Sequence, residues 1–180
     1  RFGAVFAPFH PVGQSPTQAL EYDLDRAVAL DKFGFDEVWF GEHHSGGYEL
    51  IGSPEIFIAA AAERTKHIKL GTGVTSLPYH HPWLVADRWV LLDHLTRGRA
   101  IFGAGPGALP TDAHIMGIDP VNQRRMMEES LDAILALFRS EEPVNRETDW
   151  FTMRDARLQM RPYTSPHPEV AVAAMVTPSG

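Results

Sequence analysis

The residues of this sequence best suited to chemistry are an acid and two histidines in a row, Glu42, His43 and His44. They directly follow residues 38–41, an apolar run with the composition of a parallel strand that is buried on both faces. In a βα-barrel, the residues just past the carboxyl end of such a strand line the mouth of the active site. An imidazole titrates near neutral pH, so His43 is a candidate to move a proton to or from a substrate. The alternative is a solvated turn that happens to contain histidines.

The polar residues around His43 leave alternatives open. Glu42 orients His43 or another polar group, or it forms a buried structural ion pair, and His44 faces either a pocket or the scaffold. His80 and His81 suggest a metal site, but adjacent loop histidines rarely point at one ion, so we expect His81 to cap the following helix. The nine histidines include no zinc-binding spacing such as His-Glu-x-x-His, and we predict no metal.

Two further groups of residues lie where strands are predicted to end. Phe6, Phe9 and His10 follow the first strand and are candidates to line an apolar substrate pocket, with ordinary packing as the alternative. Gly73 and Gly105 lie at the ends of two later strands. Glycine is needed where a planar ligand approaches the backbone closely, although simple turn geometry would also explain both positions.

The composition limits the class of protein. With 180 residues, 44% apolar and 22% charged, the chain can bury the core of one domain. A net charge of −7 argues against nucleic acid or an anionic membrane as a partner, and no apolar run approaches the roughly 20 residues that span a bilayer. The absence of cysteine removes disulfides, thiolate catalysis and cysteine-ligated metals. It also fits a reducing compartment, so we expect a cytoplasmic protein.

Strands and helices are predicted to alternate along the chain. The predicted strands are 2–7, 37–41, 68–74, 99–104 and 168–174, and the predicted helices are 16–33, 54–64, 82–97 and about 120–138. Val38, Lys69 and Ala100 recur at matching strand positions about 31 residues apart, the length of a βα unit. This alternation predicts a parallel α/β sheet.

Other details of the prediction are more specific. The third helix is expected to turn five apolar side chains inward: Leu84, Val85, Trp89, Leu92 and Leu95. Residues 111–117 are predicted to be a loop or a short turn, and residues 150–153 and 157–160 to pair as a hairpin. Five core strands cannot close a barrel of eight. We therefore expect these residues to be the N-terminal half of a single barrel domain.

The ordered motifs of the chain resemble the bacterial luciferase-like flavin monooxygenases. The resemblance runs over nearly the whole chain and rests on GFDEVW at 34–39, EHH at 42–44, LGTGV at 70–74, LP at 77–78, HP at 81–82, Leu92-Asp93, Thr96, Gly98-Arg99 and FG at 102–103. Residues 105–126, with GPGALP, DAH, GIDP and QRRM in order, look most like the limonene 1,2-monooxygenase branch of that family.

The resemblance implies a luciferase-like TIM (β/α)8 barrel about twice this length. Its members use reduced FMN, supplied by a separate NAD(P)H-dependent flavin reductase, and dioxygen to oxygenate a small apolar organic molecule, here a terpene such as limonene. Homodimers through the early helices are usual. His43 matches the catalytic histidine, a general acid or base near the flavin, and Gly73–Val74 matches a non-proline cis peptide that supports the isoalloxazine ring.

The resemblance also implies a phosphate site, with one departure. Ala173 and Ala174 match positions that line the flavin, and Ser179 with Gly180 resembles the turn that contacts its phosphate. The luciferases proper carry a phosphate-binding arginine where this chain has Pro106. An F420-dependent oxidoreductase on the same fold is therefore an alternative, as is a flavin-binding protein without turnover, and a metal-dependent hydrolase barrel ranks last.

Overall fold

The computed structural model of the chain describes residues 1–6 and 9–173. The strands in that part are β1 (Gly3–Phe6), β2 (Glu37–Phe40), β3 (Lys69–Thr72), β4 (Thr75–Ser76), β5 (Ala100–Gly105), β6 (Val144–Glu147), β7 (Thr152–Ala156) and β8 (Glu169–Val172). The helices there are α1 (Pro16–Lys32), α2 (Pro54–Arg64), α3 (Pro82–Thr96), α4 (Pro110–Ile115) and α5 (Gln123–Arg139). None of these helices is long and apolar enough to cross a membrane. The predicted alternation of strands and helices is confirmed.

Six of these strands form one parallel sheet. Strands β1, β2, β3 and β5 lie side by side in that order, β4 pairs with β5 beyond the end of β3, and β8 pairs with the other edge of β5. Val38 is paired with Leu70, and Leu70 with Ala100, so the repeat predicted at Lys69 is displaced by one residue. Consecutive parallel strands joined through helices are the arrangement expected of the first part of a (β/α)8 barrel.

Proline opens four of the five helices in the described part of the chain: α1, α2, α3 and α4 start at Pro16, Pro54, Pro82 and Pro110. Its fixed φ suits the first helical turn, where the missing N–H has no partner to lose. His81 caps α3 as predicted, because its ring nitrogen accepts a hydrogen bond from the backbone N–H of Trp83 at 3.3 Å. Ser15 and Ser53 occupy the corresponding positions before α1 and α2 but make no side-chain cap bond.

The core lies between the helices and one face of the sheet. Val38 and Phe40 of β2 face the helices and are fully buried, while Trp39 between them points to the opposite, inner face. Every residue of β5 is buried, as expected for the strand with neighbours on both edges.

Helix α3 corrects one part of the prediction. Val85, Trp89 and Leu92 are buried as expected, but Leu84 and Leu95 are 42% and 51% exposed. The helix therefore carries two apolar stripes, because Leu84 and Leu95 lie three turns apart on the outer side. Hydrophobicity alone does not say which stripe faces the core.

The later part of the chain corrects three more predictions. Residues 111–117, predicted to be a loop or turn, contain most of α4, and the helix predicted at 120–138 is divided into a 3₁₀ turn and α5. The hairpin exists, but its antiparallel strands are β6 and β7. Thr148 explains the displacement, since its hydroxyl accepts hydrogen bonds from the N–H groups of Trp150 and Phe151 and holds both aromatic residues in the turn.

Candidate functional site

Residues from separate strands meet at the carboxyl edge of the sheet, which we call the rim. His43 follows β2, Gly73 follows β3 and Ala173 follows β8. The N–H of Gly73 donates to the carbonyl of Phe40 at 2.7 Å, and the N–H of Ala173 donates to the carbonyl of Ala104 at 2.9 Å. These bonds hold Gly73 and Ala173 at the carboxyl edge of the sheet, where His43 also lies. Three other predicted residues, Ala174, Ser179 and Gly180, lie outside the described part of the chain.

The rim is interrupted between β3 and β4. The peptide bond between Gly73 and Val74 is cis, as the resemblance implies. The hydroxyl of Thr72 replaces the lost ladder contacts: it donates to the carbonyl of Gly103 at 2.8 Å and accepts from the N–H of Gly103 at 3.1 Å. Gly73 is exposed, and a Cβ there would meet only the Cβ of Trp39, at 3.4 Å. The backbone of this segment is therefore an open surface at the rim.

One indole forms the floor below the rim. The ring of Trp39 lies so close to β3 that a Cβ on Gly71 would come within 2.5 Å of it. The same ring would lie 3.3 Å from a Cβ on Gly103 of β5. At this level of the inner face the space is filled by a side chain of β2. The neighbouring strands β3 and β5 place only glycines against the indole.

His43 stands at the rim with one nitrogen unsatisfied. Its side chain is 22% exposed, and its Nε2 lies 3.5 Å from a carboxylate oxygen of Glu49. Its Nδ1 is buried and finds no hydrogen-bond partner in the described part of the chain. The backbone N–H of His43 donates to the carbonyl of Ile51 at 3.2 Å, which fixes the start of the loop. A ring nitrogen that the protein leaves unpaired is available to a bound molecule.

The carboxylate of Glu42 makes no hydrogen bond to His43 in the described part of the chain. It orients another polar group, His44, and also forms a buried ion pair with His80, so both expected roles apply. Its buried carboxylate accepts hydrogen bonds from Nε2 of His44 at 2.9 Å, from Nε2 of His80 at 2.7 Å and from the N–H of Ser76 at 2.7 Å. Burial opposes the charged form of His80, but the hydrogen bond to Glu42 and the charge of Glu42 outweigh it and raise the pKa of His80. Glu42 therefore orients His44 and ties the end of β2 to the segment before α3.

Asp112 fixes the same loop from α4. It is buried, and both of its carboxylate oxygens accept from the backbone N–H of His44, at 3.2 and 3.3 Å. It also accepts a short hydrogen bond from the hydroxyl of Ser45. Sequence reasoning assigned no role to Asp112 or Glu49; Asp112 belongs to a family motif, and Glu49 is the single charged residue in residues 45–52.

The three candidates for the substrate pocket are placed differently from one another. Phe9 is 67% exposed and its ring lies 5.4 Å from that of Tyr48. Phe6 packs edge-on against Phe40 of the helix-facing core, at 5.5 Å between ring centres. His10 is buried, and its ring nitrogens already face the carbonyl of Tyr48 and a carboxylate. Packing and hydrogen bonds, the alternative to a pocket role, account for the positions of Phe6 and His10, whereas the ring of Phe9 is exposed. That any of the three lines a substrate pocket stays a prediction.

Residues 1–179 match the family model described as luciferase-like monooxygenase. The chain belongs to the luciferase-like monooxygenase family. It is 55% identical over 179 residues to 4-hydroxyprotoasukamycin monooxygenase of Streptomyces nodosus subsp. asukaensis, covering 99% of this chain and 48% of that protein. It is 56% identical over 179 residues to limonene 1,2-monooxygenase of Rhodococcus erythropolis, covering 99% of this chain and 46% of that protein.

A solved structure of a monooxygenase has the same fold. It is the oxygenating constituent of 3,6-diketocamphane monooxygenase of Pseudomonas putida, a type II Baeyer–Villiger monooxygenase in complex with FMN, with a TM-score of 0.87 and 30% identity. The match covers 95% of this chain and 50% of that one. The luciferase-like TIM barrel predicted from the sequence is confirmed, and the chain spans about half the length of the curated relatives it matches.

Proposed function

We propose that this chain forms the N-terminal half of the barrel of a flavin-dependent monooxygenase that uses reduced FMN and dioxygen to oxygenate a small apolar molecule, a terpene such as limonene. The observation that carries the proposal is His43, which stands at the rim and whose buried Nδ1 has no hydrogen-bond partner among the described residues. Two relatives at 55% and 56% identity are named as monooxygenases, which supports the same class of reaction.

The residues at the rim fit a flat ring system. Gly73 and Val74 offer open backbone, and Ala173 is exposed at the tip of β8. When bound, reduced FMN supplies the electrons with which dioxygen is activated. The FMN complex of a 30% identical structure supports this choice of cofactor. We further propose that Ala174 lines the ring and that Ser179 and Gly180 hold the phosphate, on the resemblance alone.

His43 and His44 have different tasks in this proposal. His43 takes up or delivers a proton at the reacting edge, because its Nδ1 has no hydrogen-bond partner in the part of the chain that the structure describes. His44 is held by Glu42 and Asp112, so it shapes the pocket with a fixed ring instead of exchanging partners. The exposed ring of Phe9, beside Tyr48, adds apolar surface for the substrate.

We also propose a homodimer through α2 and α3. Their outer faces expose an apolar stripe of Ile56 on α2 with Leu84, Leu91 and Leu95 on α3, each at least 42% exposed. An exposed stripe of this kind on neighbouring helices suits a second copy of the same chain. The reductase that supplies the flavin and a cytoplasmic location are likewise proposals, which rest on the family resemblance and on the cysteine-free composition.

The test is turnover by the full-length protein with FMN, NADH, a flavin reductase and a panel of terpenes, ketones and alkanes that includes limonene. Under ¹⁸O₂, mass spectrometry should show one labelled oxygen atom in the organic product and the other in water. Omission of the reductase is the control. No labelled product from any terpene, ketone or alkane of the panel would contradict the proposal, and turnover with reduced F420 and no oxygen consumption would favour the F420 alternative.

A further inference from the structure

Glu49 is a half-buried acid beside His43. Its side chain is only 8% exposed, and the structure gives its carboxylate no hydrogen-bond donor in the described part of the chain. Gly46 leaves room for it, since a Cβ there would come within 2.9 Å of a carboxylate oxygen of Glu49. Its one ion-pair partner among the described residues is His43, with 3.5 Å between Oε1 and Nε2.

Backbone contacts, and not the side chain of Glu49, fix this position. The N–H of His10 donates to the carbonyl of Tyr48 at 2.8 Å, and residue 49 itself pairs with Phe9 in an isolated antiparallel bridge. His10 is held in turn by Asp23 of α1, with 2.8 Å between its Nε2 and the carboxylate. The carboxylate of Glu49 is therefore brought to the edge of His43 by a rigid support.

This placement selects one tautomer of His43. A carboxylate attracts a proton donor and repels a lone pair, so a lone pair on the facing Nε2 is disfavoured and a proton there is favoured. A neutral imidazole carries one proton, and its tautomer follows from the partner of each nitrogen. With the proton on Nε2, the buried Nδ1 keeps its lone pair, and no described residue donates a hydrogen bond to it.

We propose that Glu49 is a positioning residue for His43. It holds the imidazole in the tautomer that is protonated on Nε2, so that Nδ1 is the atom that accepts a proton at the rim. The part of this proposal that concerns turnover rests on the function proposed above, whereas the tautomer is a property of the cofactor-free protein.

The decisive experiment is a long-range ¹H–¹⁵N NMR spectrum of the histidine side chains in the full-length, cofactor-free protein, with His43→Ala to assign the signal. At a pH where His43 is neutral, we expect the shifts of a protonated Nε2 and a bare Nδ1. Glu49→Leu keeps the volume and removes the acceptor, so it should abolish that preference. Glu63→Leu on the exposed end of α2 is the matched control and should leave the His43 signal unchanged.

Kinetic measurements then separate the proposed role of Glu49 from the proposed oxygenase activity. If the protein is an oxygenase, Glu49→Leu should lower kcat about tenfold and leave KM nearly unchanged. This loss is smaller than the roughly 10²–10⁴-fold that general acid–base catalysis supplies. A wild-type spectrum with the proton on Nδ1, or a Glu49→Leu spectrum identical to wild type, overturns the role of Glu49 even if turnover is found. The wild-type spectrum decides the matter if Glu49→Leu does not fold.

Discussion

Glu42 and His80 are 38 residues apart in the sequence, yet Nε2 of His80 donates to a carboxylate oxygen of Glu42 at 2.7 Å. The same oxygen accepts from His44, so one buried carboxylate joins the loop after β2 to the segment that leads into α3. The strength of this connection depends on the charge of His80, because the attraction to Glu42 raises its pKa above the ordinary value despite burial.

The first prediction concerns stability and pH. Because the pKa of His80 is raised in the folded protein, its contribution to stability is fully present below the unfolded value of about 6.5 and is lost as pH rises through the raised folded value. The stability difference between wild type and His80→Gln should therefore shrink as pH rises. Urea unfolding of both proteins from pH 5.5 to 8.5 measures this difference in the free energy of unfolding. In a Glu42→Gln background the trend should vanish; a trend that persists there would contradict the assigned cause.

The second prediction concerns His43. Replacement by alanine should lower turnover by about 10²–10⁴-fold, the range supplied by general acid–base catalysis, while flavin affinity stays nearly unchanged. Product formation and a fluorescence titration with FMN measure the two quantities. His67→Ala is the matched control, because His67 is exposed and precedes β3 at the opposite edge of the sheet. Equal turnover by His43→Ala and wild type would refute the proton-transfer role.

The third prediction concerns the close approach of β3 and β5. A Cβ on Gly103 would lie 1.7 Å from the carbonyl oxygen of Thr72, so Gly103→Ala must displace backbone. We expect a loss of about 3 kcal/mol in the free energy of unfolding, the upper end of the usual cost of overpacking. Gly117→Ala tests conformational cost alone, since Gly117 has a φ of 70° and open space around it. Gly117→Ala should lower the free energy of unfolding by about 1–2 kcal/mol. Equal losses for Gly103→Ala and Gly117→Ala would contradict the steric argument.

The fourth prediction concerns the outer face of α3. Leu91→Arg and Leu95→Arg should each raise the dissociation constant of the proposed dimer about 30-fold or more, the loss of roughly 2 kcal/mol seen at interface hot spots. Sedimentation of the full-length protein at several concentrations measures this change. Val121→Arg is the control, because Val121 is 79% exposed but lies before α5. A dimer that withstands both leucine substitutions must use another surface.

The features that sequence reasoning identified correctly are encoded locally. The apolar run before Glu42 marks the end of β2, prolines mark the first turns of helices, and His81 caps α3 as its position before Pro82 predicts. The cis peptide bond between Gly73 and Val74 was predicted from the family resemblance. Each of these signals is carried by a few residues that are neighbours in the chain, so it can be recognised in a single sequence.

The features that were missed depend on contacts between distant parts of the chain. Asp112 reaches the loop after β2 from 68 residues away, and nothing near it in the sequence predicts that partner. Leu84 and Leu95 were expected inside because an apolar stripe looks the same whether it faces a core or a solvent-exposed surface. The hairpin was displaced because Trp150 and Phe151 favour strands, whereas the turn around Thr148 captures both.

The indole of Trp39 restricts how this barrel can diversify. With that ring against Gly71 and the carbonyl of Thr72 against Gly103, neither glycine can gain a side chain without rebuilding two strands. New substrate preferences are therefore expected to arise by exchange of residues in the connecting segments above the sheet, such as 45–52, while its interior stays constant.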